Sequence, residues 1–403
     1  MLRFEMKKVF SKTINKIVLA ALIAVTLAAG MLAIRDVRYV KEDGKEVVKG
    51  YSAAKEIKKQ KNEWRGEISE EVLKKVVEKN REINEAEKDE DAAFAKKQGL
   101  ADIKELINLA FCKVREYDYY RINQISEADI DGFYQRRITG LQEYLSSEDV
   151  KNAFTEKEKA FLLSRYEQLE TPFYYEYADG WKAILESNYL PTLMTIVVVL
   201  LGFMTAGIFS DEFQYKADAI LFSTSLGRNR AIIAKIKAGF VIVTVLYWIS
   251  MLLYSGVILL TVGTEGGSCL IQTGFDNWRS FYNITYMQEW LFTMTGGYIG
   301  MLFILALAMF ASIKWRSTVI ATTVPFVLSC IPMFLGRVSI FSDIATFTPD
   351  QLLRINKNLE DFTLVTIGGN VMGYISFLIP LYLILYFILV PMMYMGYKKA
   401  EVK

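Results

Sequence analysis

The chain has 403 residues, of which 52% are hydrophobic and 23% charged, and a net charge of +2. It is too apolar for an average soluble protein and too charged to lie in a membrane throughout, and near neutrality argues against a dedicated nucleic-acid binder. Histidine is absent and Cys112, Cys269 and Cys330 are far apart, which excludes histidine-based triads and familiar zinc clusters and leaves the thiols as isolated small apolar residues.

The first element in chain order is an apolar run at Ile17–Ile34, preceded by Arg3, Lys7, Lys8, Lys12 and Lys16. A membrane helix needs roughly 20 apolar residues, and this run approaches that length. A basic start and small residues at Ala28–Gly30 also fit a cleaved signal peptide loosely. The run continues through Met31, Leu32 and Ile34, however, beyond the roughly 7 to 15 apolar residues of such peptides, so a permanent anchor is expected.

Arg35–Asn188 is a polar insertion long enough for a folded domain, with helical patterning. Glu70–Gln98 is rich in Lys and Glu, carries Val72, Val76 and Val77 on one side and meets Gly99, which predicts one solvated helix ended by a left-handed glycine. Ile103, Leu106, Ile107, Ala110, Phe111 and Val114 form the next apolar stripe. Ser126 before "EADI" and Thr155 with Glu158 three residues on are capping signals for two further helices. Near the end of the insertion, "TPFYYEYADGW" gathers Tyr174, Tyr175, Tyr177 and Trp181, whose apolar faces and polar edges suit a membrane interface or a surface for an amphipathic substrate.

Four more spans are expected at Tyr189–Phe209, Gly239–Val262, Trp290–Ile313 and Val371–Met395, and a shorter one at Thr318–Gly336, which contains Pro325 and Pro332. Their interiors carry almost no Asp, Glu, Lys or Arg, unlike ion-coupled carriers. Gly296 and Gly300 form a G-x-x-x-G face open to either intrachain packing or a dimer contact. Thr348-Pro349-Asp350 predicts the start of a short helix at the membrane surface. Pro380 and Pro391 are expected to bend the last span.

Between the second and third spans lies "SDEFQYKADAILFSTSLGRNRAIIAKIKAG", Ser210–Gly239. Phe213, Ala217, Ile220 and Leu221 recur at helical spacing, with Glu212, Lys216 and Asp218 on the remaining surface, so an amphipathic helix is expected from Glu212 onward, with Gly227 as its stop. Arg228, Arg230, Lys235 and Lys237 follow. Together with the N-terminal lysines, Lys314 and Arg316, and Lys398, Lys399 and Lys403, they place this segment and both termini on the cytoplasmic side. The chain has no G-x-x-x-x-G-K-[ST] loop, so any ATP-driven process needs another chain to bind the nucleotide.

This order of parts resembles a type-2 ATP-binding-cassette (ABC) transporter permease, in particular the bacterial subgroup with a large extracellular domain after the first span. Two segments carry the resemblance: "YYEYADGWKAIL" (Tyr174–Leu185) and "FSDEFQYKADAILFSTSLGRNRAIIAKI" (Phe209–Ile236). The resemblance implies a multi-pass protein of the bacterial cytoplasmic membrane, with cytoplasmic ABC ATPase subunits, a second permease of the same or a related chain, and membrane lipids as partners. No nucleic acid and no intrinsic cofactor or metal are implied, and ATP is bound by the partner ATPase. It also implies that Glu212, Phe213, Lys216, Gly227, Arg228 and Arg230 contact that ATPase, whereas the bare sequence slightly favours an interfacial helix that only anchors the loop.

The expected fold is therefore an all-α membrane protein: six transmembrane helices with a mainly helical extracellular domain between helices 1 and 2. Its divisions are 1–34, 35–188 and 189–403, with a coupling segment at 210–238. The expected function is the non-enzymatic permease subunit of an exporter for a peptide, antibiotic, lipid-like or other amphipathic substrate. The alternative is a non-transporting sensor whose extracellular domain binds a ligand and signals inward; a membrane enzyme ranks below both.

Overall fold

Apolar runs flanked by charge become long helices, and in the computed structural model these form a bundle with a smaller polar domain at one end. The structure describes residues 1–403 except 149, 218–222, 224–226, 228, 337, 339, 341 and 400–403. The chain is mostly helical with three small two-stranded sheets among the described residues. Five helices are long and apolar enough to cross a membrane, as in a multi-pass membrane protein.

Helix α1 (Leu2–Ser11) ends where Lys12 turns extended, and α2 (Thr13–Asp36) forms the first span. The Asn15 side-chain amide donates to Val9 O across the break. The second span is α10 (Tyr189–Thr205) continued by α11 (Gly207–Gln214); the next two are α12 (Arg230–Val262) and α13 (Tyr286–Trp315), and the last is α18 (Tyr374–Lys398). These helices run past the predicted spans at several ends. They therefore carry Asp211, Glu212, Lys235 and Glu289, all buried, so the expectation of spans almost without charge holds only for their middles.

The expected sixth span is shorter than predicted. Helix α14 (Thr318–Cys330) has 13 residues and contains Pro325, and two separate short helices, α15 (Pro332–Leu335) and α16 (Ser342–Thr346), follow. At 1.5 Å per residue α14 reaches about 20 Å, short of the roughly 30 Å hydrocarbon thickness. Proline at position 332 lacks the N–H that would continue the ladder. Pro325 instead seats against Gly202 of α10, where a Cβ would lie 2.6 Å from the proline ring. Helix α18 runs unbroken through Pro380 and Pro391.

The polar domain comprises α3 (Tyr51–Lys61), α4 (Glu70–Ala86), α5 (Glu90–Lys97), α6 (Ala101–Ala110), α7 (Phe133–Ser146), α8 (Glu156–Glu167) and α9 (Asp179–Leu185). The predicted single helix over Glu70–Gln98 is two, because Glu87 is extended and the Asp89 carboxylate caps a new start at the Asp91 and Ala92 amides. Gly99 does not adopt the left-handed conformation expected of it; it allows close approach, since a Cβ there would lie 2.9 Å from Gln60 Cβ. Thr155 and Glu158 make both halves of the capping box at α8, while Ser126 starts only a single 3-10 turn.

Val76, Val77, Ile103, Leu106 and Ile107 are buried in the domain core as the stripes predict, joined there by Trp278 from the loop between α12 and α13. Arg137 of α7 holds that loop by donating to Trp278 O at 3.0 Å and Ser280 O at 2.7 Å, with its guanidinium over the Tyr166 ring. The domain thus includes chain from beyond residue 188.

The stretch after Thr348 is not a surface helix. Its 3-10 turn (Pro349–Leu353) and helix α17 (Ile355–Asn358) bury Leu352, Leu353 and Ile355 against α13. Gly296 and Gly300 make this possible: a Cβ at Gly296 would collide with Ile355 Cδ1, and one at Gly300 would lie 2.9 Å from Leu352 Cβ. The G-x-x-x-G face is filled by the chain's own segment. Gly300→Val is expected to destabilise the protein by about 1–3 kcal/mol through overpacking, read as unfolding in mild detergent, with the oligomeric state unchanged; loss of a dimer with unaltered stability would reverse this assignment.

Candidate functional site

The end of the bundle remote from the polar domain is organised around α11, whose sequence "GIFSDEFQ" brings Asp211 and Glu212 to the mouth of an apolar helix. In a site with little water, a carboxylate needs a cation and hydrogen-bond donors. Both are supplied by other helices. Lys235 of α12, wholly buried, donates to Glu212 Oε1 at 2.6 Å, to Glu5 Oε2 at 3.0 Å and to Ile208 O at 2.9 Å. Lys8 reaches the same Glu212 oxygen at 2.6 Å, and Lys12 meets Asp211 at 2.5 Å. Burial disfavours the Lys8 ammonium, but its hydrogen bond and attraction to Glu212 outweigh that and hold its pKa above the ordinary lysine value.

The remaining faces of α11 are equally engaged. Ser210 and Thr318 hydroxyls lie 2.6 Å apart, linking α11 to the start of α14. The Phe213 ring meets Tyr397 of α18 edge-on with centroids 5.6 Å apart, a spacing typical of aromatic pairs, and the Arg316 guanidinium lies 4.8 Å from the Phe213 centroid. Helix α11 therefore touches the ends of α1, α12, α14 and α18.

The predicted amphipathic helix from Glu212 onward is interrupted. Helix α11 stops at Gln214, and Lys216 takes a left-handed conformation with φ of 52°. Lys216 N donates to Phe213 O at 3.3 Å and Ala217 N to Glu212 O at 2.8 Å, the two bonds of a Schellman turn. Glu212 and Phe213 thus finish the span, and Lys216 caps it. Ile220, Leu221 and Arg228 lie outside the described residues. Gly227 is buried in a turn and Arg230 is exposed at the first position of α12.

Of the six expected contact residues, the structure gathers Glu212 and Phe213 at the hub and leaves Lys216, near the start of the segment 215–229, and Arg230, just after it, exposed. Sequence reading missed the hub's other half. Lys8, Lys12 and Lys235 were read only as orientation charges, and Asp211 and Glu5 were passed over. The available signal was two adjacent acids and one lysine placed on the apolar sides of their helices.

At the polar-domain end, the aromatic cluster is mostly internal. Tyr175, Tyr177 and Trp181 are buried, and of the four only Tyr174 is exposed, so they do not make a shared open surface. Their polar edges clamp the domain to the bundle instead. Tyr177 Oη donates to Val262 O at 3.1 Å and Trp181 Nε1 to Thr264 O at 3.0 Å, holding the end of α12. Tyr175 Oη donates at 2.9 Å to Asp102, which also pairs with Lys61 and Lys182, and Lys61 pairs with Asp179 at 2.7 Å. Burial works against each charge here, yet Lys182 and Lys61 hold Asp102 below the usual carboxylate range, while Asp102 and Asp179 hold Lys61 above the usual lysine value.

Comparison with protein-family models, curated proteins and solved structures finds no match.

Removing one member of a buried charge cluster leaves the others uncompensated, at a cost of about 3–5 kcal/mol. Lys235→Met is expected to lose that much stability in detergent unfolding, and the double variant Glu212→Gln with Lys235→Met to recover part of it. Lys216→Gly is expected to stabilise the protein by up to about 1 kcal/mol, because glycine carries no Cβ penalty in the left-handed region.

Proposed function

We propose that the chain is the membrane-spanning permease subunit of an ATP-driven ABC transporter, exporting a peptide, antibiotic, lipid-like or other amphipathic substrate. ATP is bound and hydrolysed by a separate cytoplasmic subunit that presses on the 210–238 segment, and the permease pairs with a second copy or a related chain. In this reading the α11 end of the bundle faces the cytoplasm and the polar domain faces outward.

The observation that carries the proposal is the Glu212–Lys235 pair. It joins the end of the second span to the beginning of the third, on either side of segment 215–229. A displacement imposed on that segment therefore moves both spans together, and Lys8 and Glu5 add the N-terminal helix to the moving unit. A simple surface anchor has no use for a buried charged clasp at its root. Differential contact of the ATPase with the segment in its nucleotide states supplies the work that changes substrate access.

Affinity purification in mild detergent is expected to recover a P-loop ATPase, and Lys216→Glu and Arg230→Glu, both outside the buried clasp, are expected to lower substrate-stimulated ATP hydrolysis at least tenfold. Recovery of a histidine kinase without an ATPase, or unchanged coupling across a panel of substitutions from Lys216 to Arg230, would replace this reading with a sensor or an anchored loop.

A further inference from the structure

The two charge clusters described above are closed: every cation meets a carboxylate. A third cluster, at the polar-domain end, is not. Glu289 lies in the first turn of α13, is wholly buried, and neither carboxylate oxygen has a hydrogen-bond donor. Glu186, at the corner between α9 and α10, also has an unpartnered buried oxygen, Oε1. A side chain at Gly274 would meet both Glu186 Oε1 and Tyr286 Oη, so the loop before α13 comes down onto this place. One turn further along α13, the buried Thr293 hydroxyl is unpartnered too.

The charges facing the pair do not neutralise it. Glu289 faces Glu186 and Asp276 as like charges and Lys357 as the opposite one. Lys357 is directed elsewhere, donating to the Glu186 backbone carbonyl and lying 3.7 Å from Asp276. Glu186 faces Lys182, Asp276, Asp102 and Asp179, and Lys182 is spent on Asp102 at 3.1 Å. Two ionised carboxylates in such a place would each lack solvation and would repel one another. Glu186 has a route to solvent, since it lines a cleft of about 440 Å³ with Lys182, Ser187, Tyr189 and Asp36.

We propose that Glu186 and Glu289 form a proton-binding site, holding one proton between them while α17 and the turn before it are seated on α13. On release the carboxyl O–H bond breaks, the carboxylate keeps the electron pair, and the proton passes to water in the cleft beside Glu186. Ionisation leaves a second unsolvated negative charge beside the Leu185 and Glu186 carbonyls to which Asn356 and Lys357 donate, and water must enter for it to persist. The seat of this segment on Gly296 and Gly300 loosens as that happens. Acid outside the polar-domain end thus favours the seated segment, independently of whether the chain is a transporter.

The sign follows from Glu186, which lies outside the spans. Burial, with like charges added and Lys182 opposing, lifts its carboxyl from 4.5 to about 7. A carboxyl raised on folding contributes stability that is fully present below its ordinary value and is lost as pH rises through the folded one. The purified full chain in detergent is therefore expected to lose stability between about pH 5 and pH 8, with a protonated-carboxyl infrared band that halves near pH 7.

Glu289→Gln, which removes one of the two carboxylates that share the proton, is expected to move the midpoint of that band below about pH 7 and to leave the protein more stable than wild type at about pH 8. Glu186→Gln serves as the second variant and is expected to flatten the same pH profile. A wild-type profile in both variants would overturn the proposal, as would a pH-independent loss of stability in Glu289→Gln, the mark of a purely structural carboxylate. Restoration of wild-type stability at about pH 8 by sodium, potassium or calcium chloride but not by matched choline chloride would overturn it in favour of a metal-cation site.

Discussion

A lysine with no exposed surface has to be surrounded by acceptors, and the architecture at one end of this bundle follows from meeting that requirement for Lys235. Its ammonium reaches Glu212, Glu5 and a backbone carbonyl, and no one helix could provide that set. The second span, the third span and the N-terminal helix must therefore meet at one point. Once they do, Asp211 is within reach of Lys12, and the polar break at Lys12 fixes how α1 turns away from α2. Replacing such a cluster with apolar residues often costs nothing in stability, so its presence at the root of the inter-span segment is better explained by keeping three helices in register than by stability alone.

Helix α12 carries that register to the other end of the molecule. Its 33 residues extend about 50 Å at 1.5 Å per residue. Lys235 is held near its start, and at its finish Val262 O accepts from Tyr177 while the backbones of Gly180 and Gly263 come so close that a Cβ on Gly180 has no room. Both ends are gripped by elements that are distant in sequence. A strut gripped in this way passes displacement along its length, which is the property the proposed coupling needs and which a loosely tethered domain would lack.

The long apolar periods were legible because one effect outweighs all others in setting a membrane span, the transfer of roughly 20 apolar residues out of water. Local capping chemistry such as Thr155 with Glu158 was legible because both partners lie within one turn. The errors share the opposite origin. Gly99 was read from local statistics as a helix stop, whereas Gln60, far away in sequence, is what demands a glycine there. Gly296 and Gly300 looked equally suited to a neighbouring protein, and only the folded path of the 349–358 segment decides between them. Tyr175, Tyr177 and Trp181 carry polar edges that suit a membrane surface as well as they suit buried carbonyls and carboxylates. The break at Lys216 was hidden because a left-handed lysine has no compositional signature; the apolar spacing continued past it.

Glu289 shows the same limit in its sharpest form. On the sequence it stands at the polar margin of a span, where a carboxylate would normally face water, and so the span was begun one residue later. The fold buries it instead, and no hydrogen-bond donor reaches its carboxylate. At the α11 end the same problem is solved by cations from three helices; at the polar-domain end the nearby lysines are already engaged by Asp102, Asp276 and a backbone carbonyl. The contrast separates two uses of buried charge in one chain. A cluster whose charges cancel holds helices in a fixed relation at any ordinary pH, whereas a carboxyl pair left without a cation can shed one of its two charges only by binding a proton, so its packing responds to what the solvent offers.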